Sequence, residues 1–303
     1  MGDALRSADL LGAISAHMAD AVARVAAAMV QVRGRPRRPA SGLVYAADLI
    51  LTADHVIERD DDLSVETPDG RELPAQIVGR DPASDLALLR VPGLGLAPAA
   101  FAEAPARVGQ IVLAVGRPLS GGPMASMGVV SAIGGPLRSR QGAMLEQFIQ
   151  TDATPYPGFS GGPLADSQGG VVGVLTTGLA GGAALAVPSA LARRVAATLA
   201  DQGYVKRGFL GISSQPVELP EGQRAGVSQP SGLLVVRVEP ASPAATGGLL
   251  PGDVLVSFDG HAVADTDDLQ VLLGGERVGQ AVPAQVIRSG ALVNLTVTVG
   301  QRG

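Results

Sequence analysis

Three side chains in this sequence have the types and the order that acyl-transfer chemistry needs. Ser160 sits in Gly158-Phe159-Ser160-Gly161-Gly162-Pro163. Glycine has no side chain and accepts positive φ. A serine flanked in this way is held on a tight turn whose backbone N–H groups converge on one small space, the geometry that steadies an oxyanion while the hydroxyl attacks a carbonyl. Such a serine needs a base, and the chain has 3 histidines. His17 lies in an alanine-rich stretch, and His261 follows the turn Phe258-Asp259-Gly260. His55 closes the apolar run 49–54, at the mouth of a β-core, where an imidazole faces both solvent and a buried acid. Asp85 opens the apolar run 86–89 and supplies that acid, its alternative reading being a cap at a strand start. Asp81 precedes proline and suits the capping role better. Asp54 adjoins His55, but neighbouring side chains in a strand point apart, so it is the weaker orienter. Each residue alone has an ordinary structural explanation. His55, Asp85 and Ser160 in this order, on one β-rich stretch, specify a nucleophile, a general base and an orienting acid.

Gly158, Ser160 and Gly162 also satisfy Gly-x-Ser-x-Gly, the elbow that opens a helix in α/β-hydrolases. That architecture places acid and histidine after the serine, and a helix directly behind it. Here Gly161-Gly162-Pro163 and Gly169-Gly170 break any helix, and the one later histidine, His261, falls in a separate unit. The elbow reading is excluded.

The elements that must position these residues follow from periodicity. Residues 3–32 carry Leu11, Ile14, Met18, Val22, Val25 and Met29 at three- and four-residue intervals, one face of an amphipathic helix whose last residues 28–32 have strand character. The expected division is a helical segment over 1–32, a β domain over 33–200, a linker over 201–207 and a second domain over 208–303. Short strands are expected at 42–45, 49–52, 63–67, 76–79, 86–91, 110–115 and 128–133, with Pro68-Asp69-Gly70 as a turn, in a barrel or sandwich. A helix is expected over 190–200 and stops at Gly203. The second unit is expected to hold strands at 232–238, 253–258, 284–287 and 293–299, with short helices at 243–246 and 267–273.

Composition narrows the function classes. The 303 residues include 41 glycines and 22 prolines, 46% hydrophobic and 17% charged residues, with a formal charge of −5. This favours a turn-rich β protein, long enough for two cores, and gives no electrostatic footprint for nucleic acid. The basic run Arg33-Gly34-Arg35-Pro36-Arg37-Arg38 reads as a solvated loop. Without cysteine, thiol chemistry, disulfides and thiolate metal sites are excluded. No apolar run reaches the length of a membrane span. The N-terminus, with Asp3 and with His17, Asp20 and Arg24 interrupting its apolar stretches, is a poor signal peptide. As written the chain reads as cytoplasmic, with export to the periplasm as the alternative if the true start lies upstream.

Over 30–299 the chain resembles the HtrA/Deg family of trypsin-like serine proteases carrying one PDZ domain. Leu51-Thr52-Ala53-Asp54-His55-Val56 is similar to the family's histidine motif, 81–89 to its aspartate motif and 150–164 to its serine motif. The resemblance implies a mainly β chain: a chymotrypsin-like double β-barrel after an N-terminal helix, followed by a PDZ domain. It implies an ATP-independent endopeptidase of protein quality control, without cofactor or metal, acting on unfolded or exposed segments. The alternative is a PDZ-based binding or chaperone protein with a largely resting protease domain; a third reading is a specific processing protease. Ser160 is implied as nucleophile, His55 as base, Asp85 as its orienter, and the backbone N–H groups of Gly158 and Ser160 as oxyanion donors. The pocket for the side chain before the scissile bond is expected to involve Thr154, Tyr156, Thr176 and Ala186. With no acid at its base, it favours small or medium aliphatic side chains over Lys or Arg.

Gly208, Phe209, Leu210, Gly211 and Ile212 resemble the PDZ loop that holds a C-terminal carboxylate, so C-terminal peptides are implied partners, added as a strand. A homotrimer is also implied, although the first forty residues lack the aromatics on which family trimers rely. Phe159 and Tyr156 stand where the family usually has asparagine. Residues 137–144 correspond to a loop that relays PDZ occupancy in relatives, and the resemblance implies the same role here.

Overall fold

The computed structural model describes residues 2–36, 38–119, 121–138, 144–179, 184–206, 208–274 and 277–301. The chain divides into two compact units, Met1–Val205 and Lys206–Gly303.

Helix α1 (Gly2–Ala26) packs through Met18, Ala21, Val22 and Val25 into a core shared by the two barrels, lying against strands Ile111–Leu119, Gly122–Gly134 and Pro163–Ala165 of the second. Its earlier apolar positions Leu10, Leu11 and Ile14 remain exposed. The helix ends earlier than the 1–32 expectation. Val30 and Val32 are β-branched, which suits a pleated strand, and Met29–Arg33 forms β1, paired with a strand on each side. The first barrel therefore begins inside the segment assigned to the helix.

That barrel is closed in the order β1, β2 (Ala40–Ala46), β3 (Leu49–Ala53), β6 (Leu86–Arg90), β5 (Glu72–Asp81), β4 (Leu63–Glu66). The expected Pro68-Asp69-Gly70 turn joins β4 to β5: Gly70, at φ +86°, donates its N–H to Thr67 O at 3.0 Å. Inside, Gly42 matters because a Cβ there would lie 2.6 Å from Ile50 Cγ2 and 2.7 Å from Val32 Cγ2. Closure brings the end of β3 beside the start of β6, with Ala53 opposite Leu86. This places His55, two residues beyond Ala53, next to Asp85.

The second barrel is closed in the order β7 (Ile111–Leu119), β8 (Gly122–Gly134), β11 (Phe148–Thr151), β14 (Leu185–Pro188), β13 (Val171–Thr176), β12 (Pro163–Ala165), while β9 (Leu137–Arg138) and β10 (Met144–Leu145) form a small hairpin. Residues 139–143, most of the loop expected to relay PDZ occupancy, lie outside the described residues. Helix α2 (Ser189–Gln202) packs Leu191, Val195 and Leu199 against Leu51, Leu86, Leu88 and Val187. It terminates at Gly203, φ +78°, whose N–H returns to Leu199 O.

In the second unit the sheet order is β16 (Ile212–Glu218), β17 (Ser231–Val238), β18 (Val254–Phe258), β20 (Ala281–Arg288), β21 (Ala291–Thr298), with β19 (His261–Ala262) pairing β18. A separate pair joins β15 (Gly208–Phe209) to β22 (Gly300–Gln301). Helices α3 (Pro243–Thr246) and α4 (Thr266–Leu272) are N-capped by Ser242 and Asp265. His261 is exposed beside the Asp259-Gly260 turn.

Candidate active site

His55 and Asp85 meet through two hydrogen bonds to one carboxylate. His55 Nδ1–H donates to Asp85 Oδ2 at 2.7 Å, and the His55 backbone N–H donates to Oδ1 at 2.8 Å. The 3₁₀ turn Asp54–Val56 just after β3 turns the ring toward this carboxylate. The tautomer is thereby fixed with the proton on Nδ1, leaving Nε2 to accept one. Asp85 is buried and sits at φ +53°, a conformation uncommon for a residue with a side chain. Thr176, at the end of β13, also donates its hydroxyl to Asp85 Oδ2. Three donors on one buried carboxylate offset its desolvation.

Asp54 and Asp81 occupy the lesser roles expected of them. Asp81 accepts the Ser84 hydroxyl at 2.6 Å, as a turn cap. Asp54 binds the pair only through its backbone, its N–H donating to Asp85 O at 3.0 Å. Burial holds the Asp54 carboxyl above the usual aspartate range, with Asp85 and Asp81 adding to the rise and the Arg80 guanidinium, 3.6 Å away, opposing it.

Ser160 is 5% exposed. Its hydroxyl lies 3.2 Å from the Thr177 hydroxyl; among the described residues no hydrogen bond joins it to His55. Its neighbours seat it against the first barrel. A Cβ on Gly161, φ +83°, would lie 2.9 Å from Ala53 N, just before His55, and the Ser160 carbonyl accepts the Ser41 N–H at 3.1 Å. Gly178 packs on the other partners: a Cβ there would stand 2.6 Å from His55 Nδ1 and 2.9 Å from Asp85 Oδ2. The serine and the His–Asp pair thus share one wall, built by residues 176–178.

The backbone around Ser160 separates into bound and free donors. The N–H groups of Phe159, Gly161 and Gly162 go to Tyr156 O, Leu175 O and Phe159 O at 3.0, 2.9 and 2.8 Å. Those of Gly158 and Ser160 have no acceptor among the described residues. Two free N–H groups flanking a nucleophile are what a developing oxyanion requires. The arrangement can deprotonate a serine hydroxyl, orient the imidazolium and hold a tetrahedral anion.

Of the residues expected around a substrate side chain, Thr154 and Tyr156 are exposed beside the serine loop. Thr176 is not on a pocket surface; it is 2% exposed and bound to Asp85. Ala186 is fully buried in the second barrel with Phe159 and Ile149. Its alternation in β14 puts it inside, where a sequence run without polar partners gives no warning. Residues 180–183, between β13 and β14, lie outside the described residues. Ser41 went unnoticed in the sequence. Fully buried in β2, it donates its hydroxyl to Gly158 O at 2.8 Å and accepts the Arg117 N–H at 2.7 Å.

In the second unit Gly208–Ile212 forms a strand end, a turn and a strand start. Gly211, φ +78°, allows the turn to press on Ser242, where a Cβ would overlap. The Leu210 and Gly211 carbonyls accept from Ala244 and Glu239, both at 2.8 Å, while the N–H groups of Leu210 and Gly211 have no acceptor among the described residues. These free donors stand just before β16, which pairs on one side only, with β17. A free sheet edge led by free N–H groups accepts an extended chain end.

Known proteins match both halves of this geometry. A trypsin-like peptidase domain family matches residues 40–174, and a PDZ domain family matches 208–299. Among solved structures, the HtrA-type protease AlgW with decapeptide is 32% identical, with a TM-score of 0.80 over 94% of this chain and 99% of that one. The chain belongs to the HtrA/Deg family of serine endoproteases. The serine endoprotease from Yersinia pestis is 29% identical, with a TM-score of 0.76 over 93% of this chain and 97% of that one. Among HtrA/Deg relatives in sequence, the probable periplasmic serine endoprotease DegP-like of Ectopseudomonas mendocina (strain ymp) is 38% identical over 267 residues, covering 86% of this chain and 56% of that protein. The corresponding protein of Halomonas elongata is 37% identical over the same share of each. The chain spans about half the length of these curated relatives. They are named periplasmic, which lends no support to the expected cytoplasmic location. No helix among the described residues is long and apolar enough to cross a membrane.

Proposed function

We propose that the chain is an ATP-independent serine endopeptidase that cleaves unfolded or exposed protein segments through an acyl-enzyme on Ser160, and that its PDZ unit binds C-terminal peptides. The observation that carries the reading is Asp85 holding His55 by ring and backbone while the Gly158 and Ser160 N–H groups stand free beside the nucleophile. In the first step the Ser160 hydroxyl rotates from Thr177 toward His55 Nε2, which takes its proton as Oγ attacks the scissile carbonyl. The two free N–H groups then receive the oxyanion. His55 returns the proton to the leaving amine, and water repeats the sequence on the acyl-enzyme. Asp85 steadies the imidazolium without itself taking the proton.

The PDZ edge β16 would pair with an extended peptide whose terminal carboxylate meets the Leu210 and Gly211 N–H groups, with Gly208, Phe209 and Ile212 framing that turn. Small or medium aliphatic side chains before the scissile bond, a periplasmic location and a homotrimer complete the reading, as family membership and the relatives' names suggest.

A fluorophosphonate probe tests it. The wild-type chain is expected to be labelled at Ser160, with labelling lost in Ser160→Ala. An unlabelled wild type, with and without a C-terminal peptide or unfolded casein, would favour the binding or chaperone reading instead. Cleavage of casein mapped by mass spectrometry should give cuts after aliphatic residues; a predominance of cuts after Lys or Arg would overturn that preference.

A further inference from the structure

The free Gly158 N–H depends on the form of one turn, and the residue that secures that form is Phe159. Tyr156-Pro157-Gly158-Phe159 is a β-turn closed by Phe159 N–H to Tyr156 O at 3.0 Å. The proline ring fixes its own φ near −65°, which leaves types I and II. Gly158, at φ +91°, selects type II. The two types differ in the direction of the central peptide, so conversion to type I would swing the Gly158 N–H to the opposite side while keeping the closing hydrogen bond. The turn type is therefore the state of the candidate oxyanion donor.

Several contacts fix the ends of this turn and the carbonyl that follows its central peptide. Ser41 Oγ–H donates to Gly158 O at 2.8 Å. The Phe159 ring is fully buried in the second barrel among Val112, Ala114, Leu164 and Leu175. It fits there only because Gly116 lacks a side chain, since a Cβ on Gly116 would lie 2.2 Å from the ring's Cδ1. Tyr156, at the other end of the turn, meets the ring edge-on with centroids 5.5 Å apart and planes at 74°. Both ends of the turn are thus tied to one buried ring. An asparagine at 159 would find no polar partner in this apolar cluster.

We propose that Phe159, seated over Gly116 and gripped by Tyr156, is a positioning residue that keeps the Gly158 N–H in its free orientation with no peptide or substrate bound. The inference rests on the reading of Ser160 as nucleophile, so its test carries one readout that needs no catalysis. The first is deuterium uptake across residues 156–162 of the full chain, which reports the Phe159 and Gly162 hydrogen bonds. The second is the rate of fluorophosphonate labelling, measured without added peptide. Gly116→Ala is expected to raise uptake in that segment and to slow labelling by about tenfold or more. Adding Phe159→Leu, which makes room for the new methyl, is expected to restore labelling at least in part, a coupling that two independent defects would not show. If Gly116→Ala prevents folding, Phe159→Leu alone, which removes the contact with Tyr156 without adding volume, must raise uptake and slow labelling. Uptake and labelling unchanged in Gly116→Ala, or penalties that simply add in the double variant, overturn the inference. A wild type that is never labelled, but whose uptake responds to Gly116→Ala, overturns the catalytic reading and leaves the anchor standing.

Discussion

Gly178 and Asp54 show how a single atom beside the His55–Asp85 pair sets its behaviour. The pair is joined at 2.7 Å, and a Cβ on Gly178 would come 2.6 Å from one partner and 2.9 Å from the other. The methyl of Gly178→Ala must therefore push the imidazole or the carboxylate aside. Displacement of about 1 Å at a reacting group costs about a hundredfold in rate, and a drop in kcat of that order is expected in peptide cleavage; unchanged kcat would show that the wall yields instead. Asp54 makes a prediction in pH. Its carboxyl is raised from the ordinary value of 3.8, chiefly by burial, so the fold favours the protonated form. Its contribution to stability is present below that value and is lost as pH rises through the native one. Asp54→Asn keeps the shape without the charge, so the variant should melt about 2 °C above wild type at pH 7 and lose that gain toward pH 3. A melting difference constant with pH would reject this account.

At the scale of elements, the second unit carries a test of its own framework. Asp253, just before β18, has a side chain only 1% exposed and takes two hydrogen bonds from Arg288 at the end of β20, at 2.7 and 2.8 Å. Arg288 also donates to Gly248 O at 2.7 Å, tying the loop before β18 to the same point. Asp253 is buried but Arg288 is partly exposed, so removing the guanidinium leaves a carboxylate that water only partly reaches, at a cost of about 2 kcal/mol. Arg288→Ala is expected to lower the calorimetric transition of this unit by about 10 °C; a shift within about 2 °C would show that water replaces the guanidinium. Elements with strong local signals were legible in the sequence, among them α2 with its Gly203 stop and α3 at the expected 243–246. Strand β16 was not. Ser213, Ser214, Gln215 and Pro216 give no apolar alternation, and an edge strand tolerates proline and polar residues because one side is unpaired. Residues 28–32 were legible as strand-like, but the point where α1 ends was not, since β1 is defined by its pairing with two neighbours.

For the whole molecule, two units with separate cores place two different chemistries on one chain, and the two should separate by mutation. In the full-length protein Ser160→Ala is expected to abolish fluorophosphonate labelling and to leave the affinity for a C-terminal peptide within about twofold. Gly211→Ala, which meets Ser242 at a positive φ, should weaken that peptide about tenfold or more and leave labelling without peptide intact. Anisotropy with a labelled peptide and its amidated form measures the first property, and mass spectrometry of the adduct the second. Loss of both in either variant would reject the division. The sequence by itself determined the reactive types and their order, His55, Asp85 and Ser160, together with the glycine turns and the break near 206, because these rest on the chemistry and backbone freedom of single residues. Only the tertiary structure decided which side chains support them. Thr176 reaches Asp85 across 91 residues, and Ser41 reaches Gly158 across 117; Phe159 found its seat over Gly116. The first two contacts cross from one barrel to the other, and such packing joins segments whose separation in sequence carries no local pattern.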